Sequence, residues 1–254
     1  MRRWLILAYG TCAYLVFLGV FLYAIAFTGN FLVPVSLDST PTSSFGIAVL
    51  VNLCLLGLFA VQHSLMARPI FKAWITRYIP APAERSTYVL ATNVAMILLF
   101  ALWQPIGPEI WRATHPVAIA AIYAMFFLGW AIVFISTCMI NHFDLFGMRQ
   151  VWLNFKGREY KPLKFQTPGF YKYIRHPLYV GWLTVFWFTP VMSLSHFLFA
   201  AGCTVYILLA IRWEERDLVD ALGVDYTRYR DQTPMFVPKM GAGISESGVH
   251  TAHR

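Results

Sequence analysis

GFYKYIRHPLYVGW, from Gly169 to Trp182, and IRWEERDLVDALGVDYTRY, from Ile211 to Tyr229, decide how this chain is read. Between them runs an apolar stretch, Leu178–Ile211, with histidine, arginine, tyrosine and paired glutamates at its two ends. A single crossing of a ~30 Å hydrocarbon layer takes about 20 helical residues, so the stretch is too long for one span and slightly short for two. Pro190, Ser193, Ser195 and His196 mark its middle, and proline with serines favours a turn. The expectation is a helical hairpin whose arms of ~17 residues each span roughly 25 Å; one long kinked helix is the alternative. A hairpin returns Glu214 and Glu215 to the face where His176 began. Chargeable groups then converge at one interface beside an apolar interior, an arrangement suited to a polar cofactor meeting a lipophilic substrate.

Outward from there, Trp4–Phe27, Phe45–Met66, Thr87–Ile106 and Pro116–Ile140 are each long enough to cross a bilayer. Only 13% of the 254 residues are charged and 58% are hydrophobic, against about 25% charged in soluble domains. The fold expected is an all-α, polytopic membrane bundle with five hydrophobic segments, the last a hairpin. Residues 1–238 read as one membrane domain, with Arg175 to Pro238 as its cofactor-binding part. Residues 239–254, rich in Gly, Ser and His, read as a disordered tail. The net charge of +8 falls in alternate loops. Thr28–Ser44 has no Lys or Arg and Gly107–His115 has only Arg112, whereas Arg68–Ser86 and Asn141–Pro177 are strongly basic. That alternation puts both termini and the basic loops in the cytoplasm and explains the charge without nucleic acid. Cys12, Cys54, Cys138 and Cys203 lie in apolar segments with no CxxC pair, so neither a disulfide framework nor a thiolate zinc site is indicated. Met-Arg-Arg is followed by apolar residues to about Phe27 without a small-residue cleavage site, which reads as an uncleaved first span.

RHPLYVG (Arg175–Gly181) followed by EERDLVDALGVDYTRYRDQTPMFVP (Glu214–Pro238) resembles the C-terminal signature of the isoprenylcysteine carboxyl methyltransferase superfamily of integral membrane methyltransferases. Upstream, QHSLMARPIFKAW (Gln62–Trp74), ERSTYVLATN (Glu84–Asn93) and INHFDLFGMRQVWL (Ile140–Leu153) extend the resemblance over most of residues 1–240, to the bacterial methanethiol S-methyltransferase family within it. The resemblance implies S-adenosylmethionine as methyl donor, methanethiol as a small volatile thiol substrate and dimethyl sulfide as product. It also implies a multi-pass protein of the bacterial inner membrane with its active site facing the cytoplasm. Three other readings stand beside it: an isoprenylcysteine- or phospholipid-type membrane methyltransferase; an NADPH-dependent sterol-reductase-like enzyme, because reductases carry a similar RHPxYxG string; and a non-enzymatic membrane accessory protein.

On that basis the cofactor side comprises Arg175, His176, Tyr179 and Gly181 of the first motif and Glu214, Glu215, Tyr226 and Tyr229 of the second. Pro177 suits the first turn of a helix, which places Arg175 and His176 at a positive helix end able to receive the donor's carboxylate. Glu214 and Glu215 would accept hydrogen bonds from ribose hydroxyls or an ammonium group and counter the sulfonium charge; pairing with Arg212 and Arg216 is the structural alternative. Tyr226 and Tyr229 share a helix face and either cover adenine or pack against lipid headgroups. A thiol reacts as its thiolate, and an alkyl thiol ionises above the ~8.5 of free cysteine, so a base or a positive charge is needed. The catalytic candidates are His142 and Asp144 as proton acceptors, Arg149 as an anion stabiliser and His63 near the cytoplasmic end of the second span. The competing expectations are an Asp144–Arg149 ion pair and a His63 hydrogen bond to a neighbouring helix. His63, His142, His176 and Asp144 lack any short ligand spacing such as HExxH, so no catalytic metal is expected. The absence of GxGxxG and the composition exclude a Rossmann methyltransferase.

Overall fold

In lipid every backbone polar group must find a partner within the protein, and long apolar stretches of this chain meet that demand as helices. The computed structural model describes residues 1–238. Its helices are α1 (Arg2–Gly29), α2 (Phe45–Ala67), α3 (Pro69–Ile75), α4 (Glu84–Leu102), α5 (Pro116–Ile140), α6 (His142–Leu145), α7 (Met148–Phe155), α8 (Pro177–Trp187), α9 (Leu194–Leu222) and α10 (Val224–Gln232), with a short 3-10 turn at Ala81–Ala83 leading into α4. Five are long and apolar enough to cross a membrane: α1, α2, α4 with its leading turn, α5 and α9. The chain is therefore a multi-pass, all-α membrane protein, as the apolar segments require. Phe27, Leu99, Phe100, Trp103, Phe126 and Phe199 meet in one buried aromatic and aliphatic core. The tail from residue 239 lies outside the described residues.

The fifth run is a hairpin with unequal arms rather than two equal ones. Helix α8 has 11 residues and α9 has 29, so at 1.5 Å per residue they measure about 16 and 43 Å. The difference is made up by an extended connection. Strand β1 (Glu109–Arg112) pairs antiparallel with strand β2 (Val191–Ser193), Trp111 opposite Met192. Just before β2, Trp111 Nε1 donates to the Thr189 carbonyl at 3.2 Å and the Ala113 amide to the Pro190 carbonyl at 2.8 Å. Irregular backbone is thus covered by neighbouring loops, the condition under which it is tolerated in a membrane protein.

Asp38 fastens this end. Its Oδ1 accepts from the Ser193 amide at 2.8 Å, its Oδ2 lies 2.7 Å from His196 Nδ1, and Asn30 donates to it as well. His196 Nε2 faces the Phe186 carbonyl at 3.0 Å, and Ser193 Oγ caps α9 by accepting from the His196 amide at 3.1 Å. The loop after α1, the end of α8 and the start of α9 are thereby tied through one buried carboxylate.

Helix α8 owes its position to a close antiparallel crossing with α5. A Cβ on Gly181 would lie 2.8 Å from Val133 Cγ2 and 2.9 Å from the Gly129 carbonyl oxygen; one on Gly129 would lie 3.0 Å from Val185 Cγ2. Facing small residues let membrane helices approach this closely. Gly181 therefore has a packing reason to be glycine.

Burial alone would raise the Asp38 carboxyl, but hydrogen bonds from His196 and Ser193 outweigh it and hold it below its ordinary 3.8. A carboxyl depressed by folding contributes stability above its unfolded pKa and loses that contribution as pH falls through the folded one. Asp38→Asn should therefore cost roughly 3–5 kcal/mol near neutral pH, as removal of one buried partner does. Thermal unfolding of detergent-solubilised protein should show the gap from wild type closing as pH falls below 3.8.

Candidate functional site

Pro177 opens α8, and the two residues before it are held on both backbone and side chain. The Arg175 amide donates to the Pro234 carbonyl at 2.9 Å and the His176 amide to Met235 at 3.2 Å, so the C-terminal segment runs alongside. Arg175 Nε donates to Glu215 Oε1 at 2.8 Å, and its terminal nitrogen reaches the carbonyls of Arg230, at 2.9 Å, and Thr233. His176, 5% exposed, lies with Nε2 2.9 Å from the same Glu215 Oε1. A carboxylate oxygen only accepts, so Nε2 carries the proton. One oxygen of Glu215 thus receives two charge-assisted donors.

Glu214 faces the other way. Its Oε2 accepts from the Tyr179 hydroxyl at 2.9 Å, while its Oε1 has no partner among the described residues. Arg212 and Arg216 form no ion pair with either glutamate among the described residues; the ion pair nearest in sequence is Arg68 with Asp217 at 2.8 Å. Helix α10 adds an aromatic wall. Tyr226 is buried, Tyr229 donates to the Tyr171 carbonyl at 2.6 Å, and Phe165 meets both rings edge-on with centroids at 6.0 and 5.6 Å. Burial pushes the Tyr229 hydroxyl up to about 12, so it stays a donor at neutral pH. The structure therefore brings together Arg175, His176, Tyr179, Glu214, Glu215, Tyr226 and Tyr229. Gly181 lies a turn deeper, in the crossing with α5.

His63 meets a different set of groups. The Tyr88 hydroxyl lies 2.9 Å from its Nε2 and 3.0 Å from its Nδ1, Thr92 Oγ1 lies 3.4 Å from Nδ1, and Phe59 stacks on the ring. Tyr206 of α9 bonds Ser64 at 3.1 Å. Phe59 also meets the Tyr206 ring edge-on at 5.9 Å, so this interior network reaches α9 two turns before Glu214. Sequence reasoning did not single out Tyr206. The signal was its spacing: Tyr206 and Glu214 lie two helical turns apart on one face of α9.

His142 and Asp144 share α6 but not partners. His142 lies between Tyr14, at 3.0 Å from Nε2, and Thr137, at 2.9 Å from Nδ1, amid Phe17, Phe143 and Phe146. Burial lowers its pKa and favours the neutral ring. Asp144 Oδ1 accepts from Arg149 at 2.8 Å and Oδ2 from the Tyr160 hydroxyl at 3.2 Å. Asp144, Tyr160, Gln150, Arg85, Glu84 and Lys72 line a polar cavity of about 560 Å³. No hydrogen bond or ion pair among the described residues joins His142 or Asp144 to the Glu214–Glu215 cluster. Arg85 reaches inward from that cavity: Nε donates to the Leu145 carbonyl at 2.7 Å and the guanidinium lies 4.8 Å from the Tyr88 ring centre. Among the described residues no three His, Cys, Asp or Glu side chains come together as a metal site.

The chain is 53% identical over 241 residues to a methanethiol S-methyltransferase of Crocosphaera subtropica, covering 95% of this chain and 94% of that protein. It is 49% identical over 238 residues to a methanethiol S-methyltransferase of Mycobacterium tuberculosis, covering 94% and 98%. It is 47% identical over 240 residues to methanethiol S-methyltransferase 2 of Bradyrhizobium diazoefficiens, covering 94% and 92%. No family model matches the chain, and no solved structure does.

Glu215→Gln should loosen the junction of α8 with the C-terminal segment, because it weakens two charge-assisted hydrogen bonds at once. Hydrogen–deuterium exchange should show the amides of Arg175, His176 and Thr233 exchanging at least tenfold faster than in wild type, with α1 and α2 unchanged.

Proposed function

The chain belongs to the methanethiol S-methyltransferase family, and from that membership we propose that it transfers a methyl group from S-adenosylmethionine to methanethiol, yielding dimethyl sulfide. The observation that carries the reading beyond the relatives' names is the outward-facing Glu214 carboxylate, with one oxygen unpartnered, beside an apolar interior. Arg175 is already paired with Glu215, so the free oxygen of Glu214 is the carboxylate of the cluster left to meet a ligand. That suits a cationic donor and opposes the phosphates of a nicotinamide cofactor.

When bound, the donor supplies a methyl group on a positively charged sulfur. Glu214 counters positive charge through its free oxygen. Tyr179 orients that carboxylate. Phe165, Tyr226 and Tyr229 offer an aromatic wall for adenine, and the Arg175–His176–Glu215 unit keeps α8, α9 and α10 in register. Asp144 and Arg149 shape the neighbouring polar cavity. Proton removal from the thiol falls to a histidine paired with a tyrosine, either His142 with Tyr14 or His63 with Tyr88. The acceptor is small and apolar and reaches the interior from the lipid; the donor enters from the cytoplasm, at the inner-membrane face that carries the basic loops. Catalysis then consists largely of orientation and exclusion of water.

Cells expressing the chain and supplied with methanethiol should release dimethyl sulfide into the headspace, and gas chromatography showing none would overturn the reading. By calorimetry, Glu214→Gln should weaken S-adenosylmethionine binding about ten- to a hundredfold, the loss of one charge-assisted hydrogen bond.

For orientation, a reporter fused after Ser39 should be active in the periplasm and one fused after Lys161 in the cytoplasm. The opposite pattern would move the donor's entrance to the other face.

A further inference from the structure

An alkyl thiol must lose its proton before its sulfur attacks, and two half-buried histidines, His63 and His142, have similar local wiring. In each, a threonine hydroxyl donates to a helix carbonyl: Thr92 to Tyr88 at 3.0 Å and Thr137 to Phe134 at 2.7 Å. That threonine oxygen is left to accept from Nδ1, at 2.9 Å in His142 and 3.4 Å in His63; the Tyr88 hydroxyl lies 3.0 Å from His63 Nδ1 and 2.9 Å from Nε2, and the Thr92 contact favours the same Nδ1–H tautomer there. Nε2 is then the basic nitrogen, and a tyrosine hydroxyl donates to it, from Tyr88 at 2.9 Å and from Tyr14 at 3.0 Å.

Their surroundings separate them. Tyr14 is enclosed by the rings of Phe17, Phe143 and Phe146. His63 instead adjoins α9: Phe59 stacks on its ring and meets Tyr206, which bonds Ser64 and lies two turns before Glu214. The Arg85 guanidinium also lies 4.8 Å from the Tyr88 ring centre, anchored through Nε to Leu145, with its two terminal nitrogens free of protein acceptors among the described residues. A fixed positive charge there favours an anion at the Tyr88 hydroxyl.

We infer that Tyr88 and His63 form the proton-accepting pair for the thiol, with Tyr88 in contact with it and His63 acting through Tyr88. This rests on the methyl-transfer reading. The thiol proton passes to the Tyr88 oxygen as the Tyr88 proton passes to His63 Nε2. The sulfur's freed electron pair forms the new S–CH3 bond, and the pair of the bond broken at the methyl stays with the departing thioether. His63 ends as an imidazolium, still held through Nδ1 by Thr92. The Arg85 charge then favours release of the extra proton toward the polar cavity that Arg85 lines.

The test uses His63→Gln and Tyr88→Phe in the full chain. Both should bind S-adenosylmethionine within about threefold of wild type by calorimetry, which also reports folding. Both should lose methanethiol turnover by about 10²–10⁴-fold, as removal of a general base does. With 2,2,2-trifluoroethanethiol, whose fluorines make it ionise near neutral pH, the loss should shrink to less than tenfold, because the nucleophile arrives already deprotonated. A purely structural role would depress both thiols alike. Independently of turnover, 15N NMR of histidine-labelled protein should show a neutral Nδ1–H ring that disappears in His63→Gln and whose Nε2 resonance shifts in Tyr88→Phe. A wild type making dimethyl sulfide with His63→Gln unimpaired, or equal losses for both thiols, overturns the proposal alone. A wild type making none overturns the methyl-transfer reading and the proposal with it.

Discussion

One carboxylate oxygen, Glu215 Oε1, holds together three parts of the chain that are far apart in sequence. It receives Arg175 and His176 from the entry of α8, it belongs to α9, and Arg175 continues to carbonyls in the last turn of α10 and just after it. All three side chains are largely buried, at 10%, 5% and 14% exposed, so neither the charges nor the donors can fall back on water. Hydrogen bonds to charged groups contribute about 1.5–3 kcal/mol each, and leaving a buried charge without its partner costs more than the bond itself. The arrangement therefore has little freedom to relax, and the neighbouring Glu214 is left to Tyr179.

The opposite end of the bundle has the same design with different residues. A short α8 cannot traverse the apolar layer as helix alone, so the chain continues as extended backbone whose polar groups are met by β1, Trp111 and Asp38. Asp38 and His196 fasten that segment as Glu215 fastens the first. Between the two ends, the Gly129–Gly181 crossing sets how closely α8 approaches α5, and so where Tyr179 stands relative to α4 and α9. A site that must place a methyl group and a sulfur atom within bonding reach depends on such rigidity, because small displacements cost large factors in rate.

Charge is distributed to the same end. Arg175 is paired with Glu215 while one oxygen of Glu214 stays open, and on the interior side of α4 the Arg85 guanidinium lies over the Tyr88 ring.

Five apolar segments, the breaking of the last by Pro190, and the return of Glu214 and Glu215 to the level of His176 were all legible in the sequence, because each follows from hydrophobic length and helical rise. The ion pair of Asp144 with Arg149 was legible as well, being local to one loop. Tertiary packing alone decided which glutamate meets Arg175 and which stays open, that Gly181 serves a helix crossing, and that α8 is 11 residues long. It also decided that His63 meets Tyr88 and, through Phe59, approaches Tyr206 of α9 while His142 sits among phenylalanines, and that Asp38 meets His196 across 158 positions. The physical reason is the range of each signal. Hydrophobic length and periodicity act along one helix, whereas a hydrogen bond between helices depends on the rotation and depth of both, and these are set only when the helices pack.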